Sequence, residues 1–173
     1  IIPHSDGAGV IDQVGPGVSS ARVGERVWVW NGQWKRTFGT CATMITLPSE
    51  QAVWLPPKIS LEAGACLGIP ALTAYRALTT DGGIAGKSVL VTGGAGGVGH
   101  YAVQLACLLG ARRILTTVSS DAKASHARAA GADVTINYKT ESLVERVKEL
   151  TGGRGVDRIV DLDIAGHGKL IPD

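Results

Sequence analysis

The chain has 173 residues, of which 45% are hydrophobic and 18% charged, and its formal net charge is +2. This balance is typical of a globular protein with one sizeable core or two small ones. The chain has no block of lysine or arginine and no apolar run of the roughly 20 residues that span a bilayer, so we expect no nucleic-acid and no membrane partner. Because its first residues do not resemble a signal peptide, we expect a cytoplasmic protein.

The cysteines and histidines give little support to disulfide or metal chemistry. Cys41, Cys66 and Cys107 are odd in number and far apart, which favours reduced thiols. The four histidines are scattered and lack the short spacing of zinc ligands. We therefore predict that the chain has no metal site.

Residues 1 to about 55 are predicted to form a small β domain. Turn signals separate short strand-like runs such as Gly9-Val10-Ile11 and Arg26–Trp30. In the second run Val27 and Val29 alternate with two tryptophans, which predicts that the valines face one side of the strand and the tryptophans the other. Too few strands are visible to complete a barrel or a sandwich.

Residues 56–86 are predicted to connect this part to the rest of the chain through two helices. Ser60 can cap a short helix that runs through Cys66, because its hydroxyl can accept a hydrogen bond from the first turn. Pro70 can occupy the first turn of a second helix, which we place at Ala71–Leu78.

Residues 87–173 alternate between strand and helix patterns, which predicts an α/β fold with a parallel sheet and right-handed crossovers. The predicted strands are Ser88–Thr92, Arg113–Val118, Asp133–Asn137 and Val156–Leu162, and the predicted helices are Val98–Leu109, Asp121–Ala130 and about Glu141–Leu150. A complete dinucleotide-binding sheet of this Rossmann type has six strands, so about four strands make an incomplete one.

A glycine-rich turn between the first of these strands and its helix carries the strongest functional signal. Residues 94–99 match the dinucleotide fingerprint G-x-G-x-x-G in the strand–turn–helix context that the motif requires. Glycines let the backbone approach a pyrophosphate, and a helix N-terminus offers free N–H groups and positive potential. The predicted cofactor-binding residues here are Gly94, Ala95, Gly96, Gly97, Val98 and Gly99.

The helix after this turn is predicted to bury one apolar face. Val98, Tyr101, Ala102, Leu105, Leu108 and Leu109 recur with helical spacing. His100 shares the opposite face with Val103, Gln104 and Cys107, so we expect His100 on the solvent side.

The end of the second strand of this sheet predicts the choice of cofactor. A site that prefers NAD usually carries an acidic residue about 20 residues beyond the glycines, and Ser119 stands near that position. Serine does not repel a 2′-phosphate, and Lys123 can add a charge-assisted hydrogen bond of roughly 1.5–3 kcal/mol. Such a bond predicts about a ten- to hundredfold preference for NADPH.

Alternatives stay open at each of these positions. Ser120 can serve only as a helix cap, with Lys123 a solvated surface lysine. A shift of one residue in register would instead bring the carboxylate of Asp121 to the ribose. Tyr138, after the third strand, contacts either the adenosine end of the cofactor with its 2′-phosphate or only solvent.

Five segments of the chain form a recognisable set. They are Ser5-Asp6-Gly7-Ala8-Gly9-Val10, Val23-Gly24-Glu25-Arg26-Val27, Gly68-Ile69-Pro70-Ala71-Leu72-Thr73-Ala74-Tyr75, the glycine turn, and Ile136-Asn137-Tyr138-Lys139. Together they resemble the medium-chain dehydrogenase/reductase superfamily, and in particular its zinc-free quinone oxidoreductase branch, the zeta-crystallin-like proteins.

The resemblance implies a partial GroES-like β domain followed by a dinucleotide-binding domain, with NADPH between them. It implies that Thr73 lies near the nicotinamide and that Ser119, Lys123 and Tyr138 meet the 2′-phosphate. Proteins of this branch reduce quinones or related activated alkenes and enones with hydride from NADPH, and they are commonly homodimers. We expect the same substrate class and assembly for the full-length protein.

The resemblance also implies that no zinc takes part. Zinc-dependent relatives carry a Gly-His-Glu segment that supplies a metal ligand, whereas the matching triplet here is His4-Ser5-Asp6, with Ser5 at the ligand position. The four-cysteine lobe that binds structural zinc in those relatives is missing as well.

Three hypotheses follow for the function. The leading one is an NADPH-dependent, zinc-independent oxidoreductase of the quinone reductase type. The second is a catalytically silent nucleotide-binding protein, structural or regulatory, because the substrate-side residues of the family mostly precede Ile1. The third is a zinc alcohol dehydrogenase. The missing initiator methionine and the strand-like run near the end of the chain lead us to expect an internal segment of a longer protein.

Overall fold

A computed structural model describes residues 1–163 of the chain. They divide into two compact units, Ile1–Leu72 and a second unit that begins at Thr73. An antiparallel sheet of three strands forms the centre of the first unit, and a parallel sheet of four strands forms the centre of the second.

The first unit contains strands β1 (Gly7–Val10), β2 (Arg26–Val29) and β3 (Ala52–Trp54), with β2 in the middle. Val27 and Val29 are buried, which confirms the alternation predicted for β2. The sequence pattern did not single out β3, because three residues are too few to show a period of two.

Two helices follow this sheet. Helix α1 (Leu61–Ala65) begins after Ser60, whose hydroxyl accepts a hydrogen bond from the Ala63 N–H at 3.1 Å, and this confirms the predicted cap. Helix α2 (Gly68–Thr79) is longer than the predicted Ala71–Leu78 and carries the chain into the second unit.

The second unit follows the predicted alternation of strands and helices. Its strands are β4 (Ser88–Val91), β5 (Arg113–Val118), β6 (Val134–Asn137) and β7 (Arg158–Val160), and its helices are α3 (Gly97–Leu108), α4 (Asp121–Ala129) and α5 (Leu143–Thr151). The strands are parallel, in the order β6-β5-β4-β7. This confirms a Rossmann-type sheet of four strands. Strand β7 is shorter than the predicted Val156–Leu162.

Strand β4 is covered on both faces. Val89 and Val91 belong to one hydrophobic cluster with residues of α2, α3 and α4, whereas Leu90 points to a second cluster with Leu115 and Ile136. Alternate side chains of a strand point to opposite faces, so the apolar run of β4 fills two cores at once.

The buried face of α3 differs from the predicted one. Leu108 is 81% exposed, although the spacing placed it on the apolar stripe, and Val103, expected on the solvent side, is fully buried. Ala102 and Ala106 complete the buried face. The physical reason is that α3 packs against both the sheet and α4, so its contact surface is rotated toward Val103.

A carboxylate joins the start of β4 to the residue before β7. Asp157 Oδ2 accepts hydrogen bonds from the backbone N–H and the hydroxyl of Ser88, both at 2.7 Å. These hydrogen bonds, that of the Ser88 hydroxyl above all, lower the pKa of Asp157. The folded chain therefore favours the charged carboxylate, and the resulting stabilisation is present above pH of about 3.9 and lost as the pH falls through the lowered pKa.

We expect Asp157→Asn to lower the Tm by a few degrees at neutral pH, because the amide keeps the shape but not the charge that Ser88 stabilises. Thermal unfolding followed by circular dichroism measures the effect, which should shrink as the pH falls below about 4. Asp12→Asn, at an exposed position in the first unit, is the matched control and should leave the Tm unchanged. Equal melting of all three proteins would contradict the role of Asp157.

Candidate nucleotide-binding site

The glycine turn lies at the point where the order of the parallel strands reverses. The chain passes from β4 to β5 and β6 on one side, and then returns to place β7 on the other side of β4. In parallel α/β sheets, ligands bind in the crevice at the carboxyl ends of the strands at such a point. The turn between Val91 and Gly97 occupies this position.

Two glycines of the turn are required by close packing. A Cβ atom at Gly94 would lie 2.9 Å from Thr116 Cβ and closer still to the Thr116 hydroxyl, and one at Gly99 would lie 2.7 Å from the carbonyl carbon of Gly93. Both distances are too short for a carbon atom. A larger residue at position 94 would push the turn away from β5, and one at position 99 would push the start of α3 away from the turn. The turn is therefore held close to the sheet.

Two buried threonines of β5 hold the turn by hydrogen bonds. The Gly93 N–H donates to Thr117 Oγ1 at 2.8 Å, and the Gly94 N–H donates to the Thr117 carbonyl at 3.2 Å. Thr116 Oγ1 donates to the Val91 carbonyl at 2.7 Å. The sequence analysis missed these residues. The available signal was two threonines inside a buried strand, where hydroxyl groups need partners.

The start of α3 presents unused hydrogen-bond donors. The N–H groups of Ala95, Gly97, Val98 and Gly99 have no acceptor among residues 1–163. A Cβ atom at Gly97 would meet nothing within 4 Å, so this glycine faces open space. Free N–H groups at the positive end of a helix, beside a glycine open to solvent, suit the close approach of a pyrophosphate.

The predicted 2′-phosphate residues follow the carboxyl ends of the neighbouring strands β5 and β6. Lys123 Nζ donates a hydrogen bond to Ser119 Oγ at 3.0 Å. The Tyr138 N–H donates to the Val118 carbonyl at 3.2 Å, which places Tyr138 beside the end of β5, and its side chain is half-exposed. A hydroxyl and an ammonium group therefore lie together at this edge.

The cap of α4 and the Lys123 ammonium group lie at the same edge. Ser120 does cap α4, since its hydroxyl accepts a hydrogen bond from the Lys123 N–H at 3.4 Å, while the Lys123 ammonium group stays with Ser119. Asp121 is exposed at the first position of α4. Thr73 is exposed on α2, and no hydrogen bond among residues 1–163 joins it to the turn. Its place beside the nicotinamide stays a prediction.

His100 does not lie free on the solvent side as predicted. Its ring stacks on that of His126 from α4, with centroids 4.2 Å apart. Burial is the largest of the effects that lower the pKa of His100, and the neighbouring His126 imidazole lowers it further. The prediction treated α3 as a helix with a single partner, and the contact with α4 changes the environment of this face.

The triplet His4-Ser5-Asp6 lines a separate pocket of about 410 Å³ in the first unit. His4 adopts a positive φ of 73°, which is uncommon for a residue other than glycine. Asp6 Oδ1 accepts a hydrogen bond from the Ile69 N–H at 2.7 Å, so one carboxylate oxygen is already used in joining β1 to α2.

Residues 1–163 contain no group of three or more histidine, cysteine or acidic side chains that could hold a metal ion. Cys41, Cys66 and Cys107 are all free. Within the same described range, no helix combines the length and the apolar character needed to cross a membrane.

A parallel α/β sheet with a glycine turn at its switch point defines a dinucleotide-binding protein. Comparison with known proteins identifies the family. The family model described as zinc-binding dehydrogenase matches residues 97–171. Quinone oxidoreductase from Salmonella typhimurium is 39% identical over 158 residues, which are 91% of this chain and 47% of that protein. A 2-haloacrylate reductase from a Burkholderia species is 36% identical and covers 93% of this chain and 48% of its own length.

Solved structures agree with these matches. Quinone oxidoreductase from Pseudomonas syringae superposes with a TM-score of 0.84 at 35% identity, covering 96% of this chain and 50% of that chain. The Escherichia coli quinone oxidoreductase complexed with NADPH gives a TM-score of 0.74 at 35% identity, covering 87% and 45%. The chain belongs to the quinone oxidoreductase branch of the medium-chain dehydrogenase/reductase superfamily. It spans about half the length of the relatives it matches.

We expect Gly97→Ala to weaken binding of NADPH by about tenfold or more while the Tm stays near that of the unmodified chain, because the added methyl group enters only the space that the pyrophosphate would use. Fluorescence titration measures the affinity and circular dichroism the Tm.

Gly94→Ala is the matched comparison within the same turn. It should lower the Tm, because its methyl group would collide with Thr116 inside the protein. If both variants lost stability equally, the open side of the turn at Gly97 would not be where a ligand approaches.

Proposed function

We propose that the protein is an NADPH-dependent oxidoreductase that transfers hydride to quinones or related activated alkenes and enones without the help of zinc. The observation that carries the proposal is the hydrogen bond between Lys123 and Ser119 at the end of β5, beside a glycine turn at the switch point. The hydrogen-bonded pair suits a 2′-phosphate, and the glycine turn suits a pyrophosphate.

The preference for NADPH over NADH follows from the charges at the end of β5. A carboxylate at the position of Ser119 would accept hydrogen bonds from the ribose hydroxyls of NADH and repel a 2′-phosphate. Ser119 and Lys123 offer donors instead, and the backbone of Tyr138 is bonded to the end of β5 beside them. Asp121 is exposed, and the capping of α4 by Ser120 keeps it on the first turn of the helix.

The proposed hydride transfer requires the protein mainly to bind and orient the reactants. NADPH supplies the hydride when it is bound. Ala95, Gly97, Val98 and Gly99 would hold the pyrophosphate through their free N–H groups, and Thr73 would contact the nicotinamide. Positioning both reactants and excluding water is the remaining contribution of the chain.

The relatives support the substrate class. One is named for quinones and another for 2-haloacrylate, whose double bond is an activated alkene. A hydride acceptor of either kind is a small, electron-poor unsaturated molecule. We therefore propose this class of substrate and not one particular compound. The same resemblance leads us to propose a homodimer for the full-length protein, which sedimentation of that protein would test.

Zinc independence rests on the triplet in the first unit. Serine is not among the usual zinc ligands, and Asp6 already bonds the Ile69 N–H. Stoichiometric zinc in the purified protein, measured by elemental analysis, would contradict this part of the proposal and favour an alcohol dehydrogenase.

A nucleotide-binding protein without catalysis is the second candidate. The observation that favours it is that the contacts assigned to this site concern the cofactor alone: the free N–H groups of the glycine turn and the hydrogen bond between Lys123 and Ser119. Binding of NADPH with no oxidation of it by any quinone would support this candidate.

We expect Lys123→Ala to weaken NADPH binding by about ten- to hundredfold, since it removes a charge-assisted hydrogen bond of roughly 1.5–3 kcal/mol. Affinity for NADH should change little, because NADH lacks the 2′-phosphate. Calorimetric titration of both nucleotides measures the difference. Lys148→Ala on α5 is the matched control for the loss of one positive charge. Equal affinity of the unmodified chain for the two nucleotides would refute the proposed preference.

We expect the absorbance of NADPH to fall when protein and a quinone such as a benzoquinone are mixed, at a rate that saturates with both reactants. Gly97→Ala should reduce this rate at low NADPH concentration, because it weakens cofactor binding. Saturable binding without turnover, in the presence of quinones, enones and haloacrylates, would exclude the leading candidate for this chain and leave the silent one.

A further inference from the structure

Two histidines from neighbouring helices stack face to face beside the glycine turn. His100 is the fourth residue of α3 and His126 lies on α4; their ring centroids are 4.2 Å apart and their planes differ by 6°. His126 is exposed, whereas the Nδ1 atom of His100 is buried and has no hydrogen-bond partner. A buried polar atom without a partner requires an explanation, and neither phosphate subsite of the proposed function uses this one.

The stack is not arranged to bind a metal ion. The lone pair of an imidazole nitrogen lies in the plane of the ring, and the two ring planes are almost parallel. The lone pairs therefore run side by side and do not converge on one ion. Among residues 1–163 no third ligand completes such a site.

Few charged groups face the pair. On α3 the thiol of Cys107 is on the same side two turns further on, and on α4 Lys123 is on the same side one turn before His126. Asp121 and Arg128 point to the opposite side of α4, where Arg128 donates to Thr135 Oγ1 at 2.7 Å. The glycine turn contributes no titratable side chain. Among residues 1–163, no carboxylate contributes to the pKa of His100. A backbone group of Gly94 favours the protonated ring, but burial and the His126 imidazole, which favour the neutral ring, have the larger effects.

The stack is coupled to the residues that would bind the pyrophosphate. The His100 N–H donates to the Gly96 carbonyl at 2.8 Å, and a backbone group of Gly94 lies near the His100 ring. His100 is also adjacent in sequence to Gly99, whose packing against Gly93 leaves no spare room. The His100 ring is thus attached to the first turn of α3 and lies near the glycine turn, next to the N–H groups that would hold the pyrophosphate.

We propose that the stacked pair His100–His126 is a positioning element that fixes the first turn of α3 for the pyrophosphate of the cofactor, and that nucleotide affinity falls when the pair becomes charged. The inference rests on the proposed function, because it assumes that a dinucleotide lies on that turn. His100 and His126 act through the backbone of the turn and touch neither hydride donor nor acceptor.

The direction of the pH dependence follows from the environment of His100. Burial, and after it the His126 imidazole, lower the pKa of His100. A lowered pKa means that the stacked arrangement favours the neutral ring, so the stack is intact above pH of about 6.5 and is weakened as the pH falls through the lowered pKa. Two protons on rings only 4.2 Å apart would repel each other, and the pair would separate.

The test compares the pH dependence of NADPH binding in the unmodified 173-residue chain and in the double variant His100→Phe/His126→Phe. Phenylalanine keeps a stacked ring and carries no proton. Each dissociation constant, from pH of about 8 to about 5.5, is expressed relative to the value of the same protein at pH of about 8. Protonation of the 2′-phosphate weakens binding in both proteins alike, so the difference between them reports the histidine pair.

We expect the unmodified chain to lose about tenfold more affinity over this range than the double variant. His126→Ala, which removes the stack, should bind NADPH more weakly already at the upper pH, and Ser125→Ala on the same helix is its matched control. Identical pH profiles for the unmodified chain and the double variant, or an affinity that rises on acidification, would overturn the inference alone. Failure of the unmodified chain to bind NADPH at any pH would overturn the proposed function together with it.

A second measurement needs no variant. In the absence of nucleotide, an NMR titration of the histidine ring protons should show that the pKa of His100 lies below the ordinary histidine range. A pKa of His100 within the ordinary histidine range would overturn the inference, even if every variant failed to fold.

Discussion

The glycine turn lies so close to strand β5 that no side chain fits between them, and the nucleotide site depends on this contact. Gly94 packs on Thr116, Gly99 packs on the Gly93 carbonyl, and Thr117 holds the N–H groups of Gly93 and Gly94. Because the turn is anchored from the sheet side, α3 begins at a fixed place with the donors of its first turn unused. Residues that would not touch the ligand, such as Thr116 and Thr117, thereby fix the position of the N–H groups that would bind it.

That contact requires the sheet to be assembled around β4. The strand has hydrophobic clusters on both faces, and its neighbours β5 and β7, which both follow it in the chain, lie on opposite sides of it. The paired hydrogen bonds of Asp157 with Ser88 bring the residue before β7 to the start of β4. The crevice at the carboxyl ends of the strands is thus a product of long-range pairing, in which residues nearly 70 positions apart meet.

The proposed selectivity for a 2′-phosphate depends on a second long-range contact. The backbone of Tyr138 bonds the end of β5, so residues from two adjacent strand ends form one edge with the Lys123–Ser119 hydrogen bond. The histidine pair between α3 and α4 adds a link of another kind, since it joins the first turn of α3 to the helix that carries Lys123. The proposed pyrophosphate and 2′-phosphate subsites therefore share helix α4 as a support.

Local pattern was sufficient for the alternation of strands and helices, the caps at Ser60 and Ser120, and the glycine turn, because each depends on residues within a few positions of one another. It was insufficient for strand Ala52–Trp54, for the exposure of Leu108 and the burial of Val103, and for the stacking of His100 on His126. The spacing of apolar residues predicts that a helix has a buried face, but it does not predict how many other elements of the fold pack against that helix. Helix α3 packs on a sheet and on another helix at once, and this packing, which no stretch of the chain encodes alone, places its side chains.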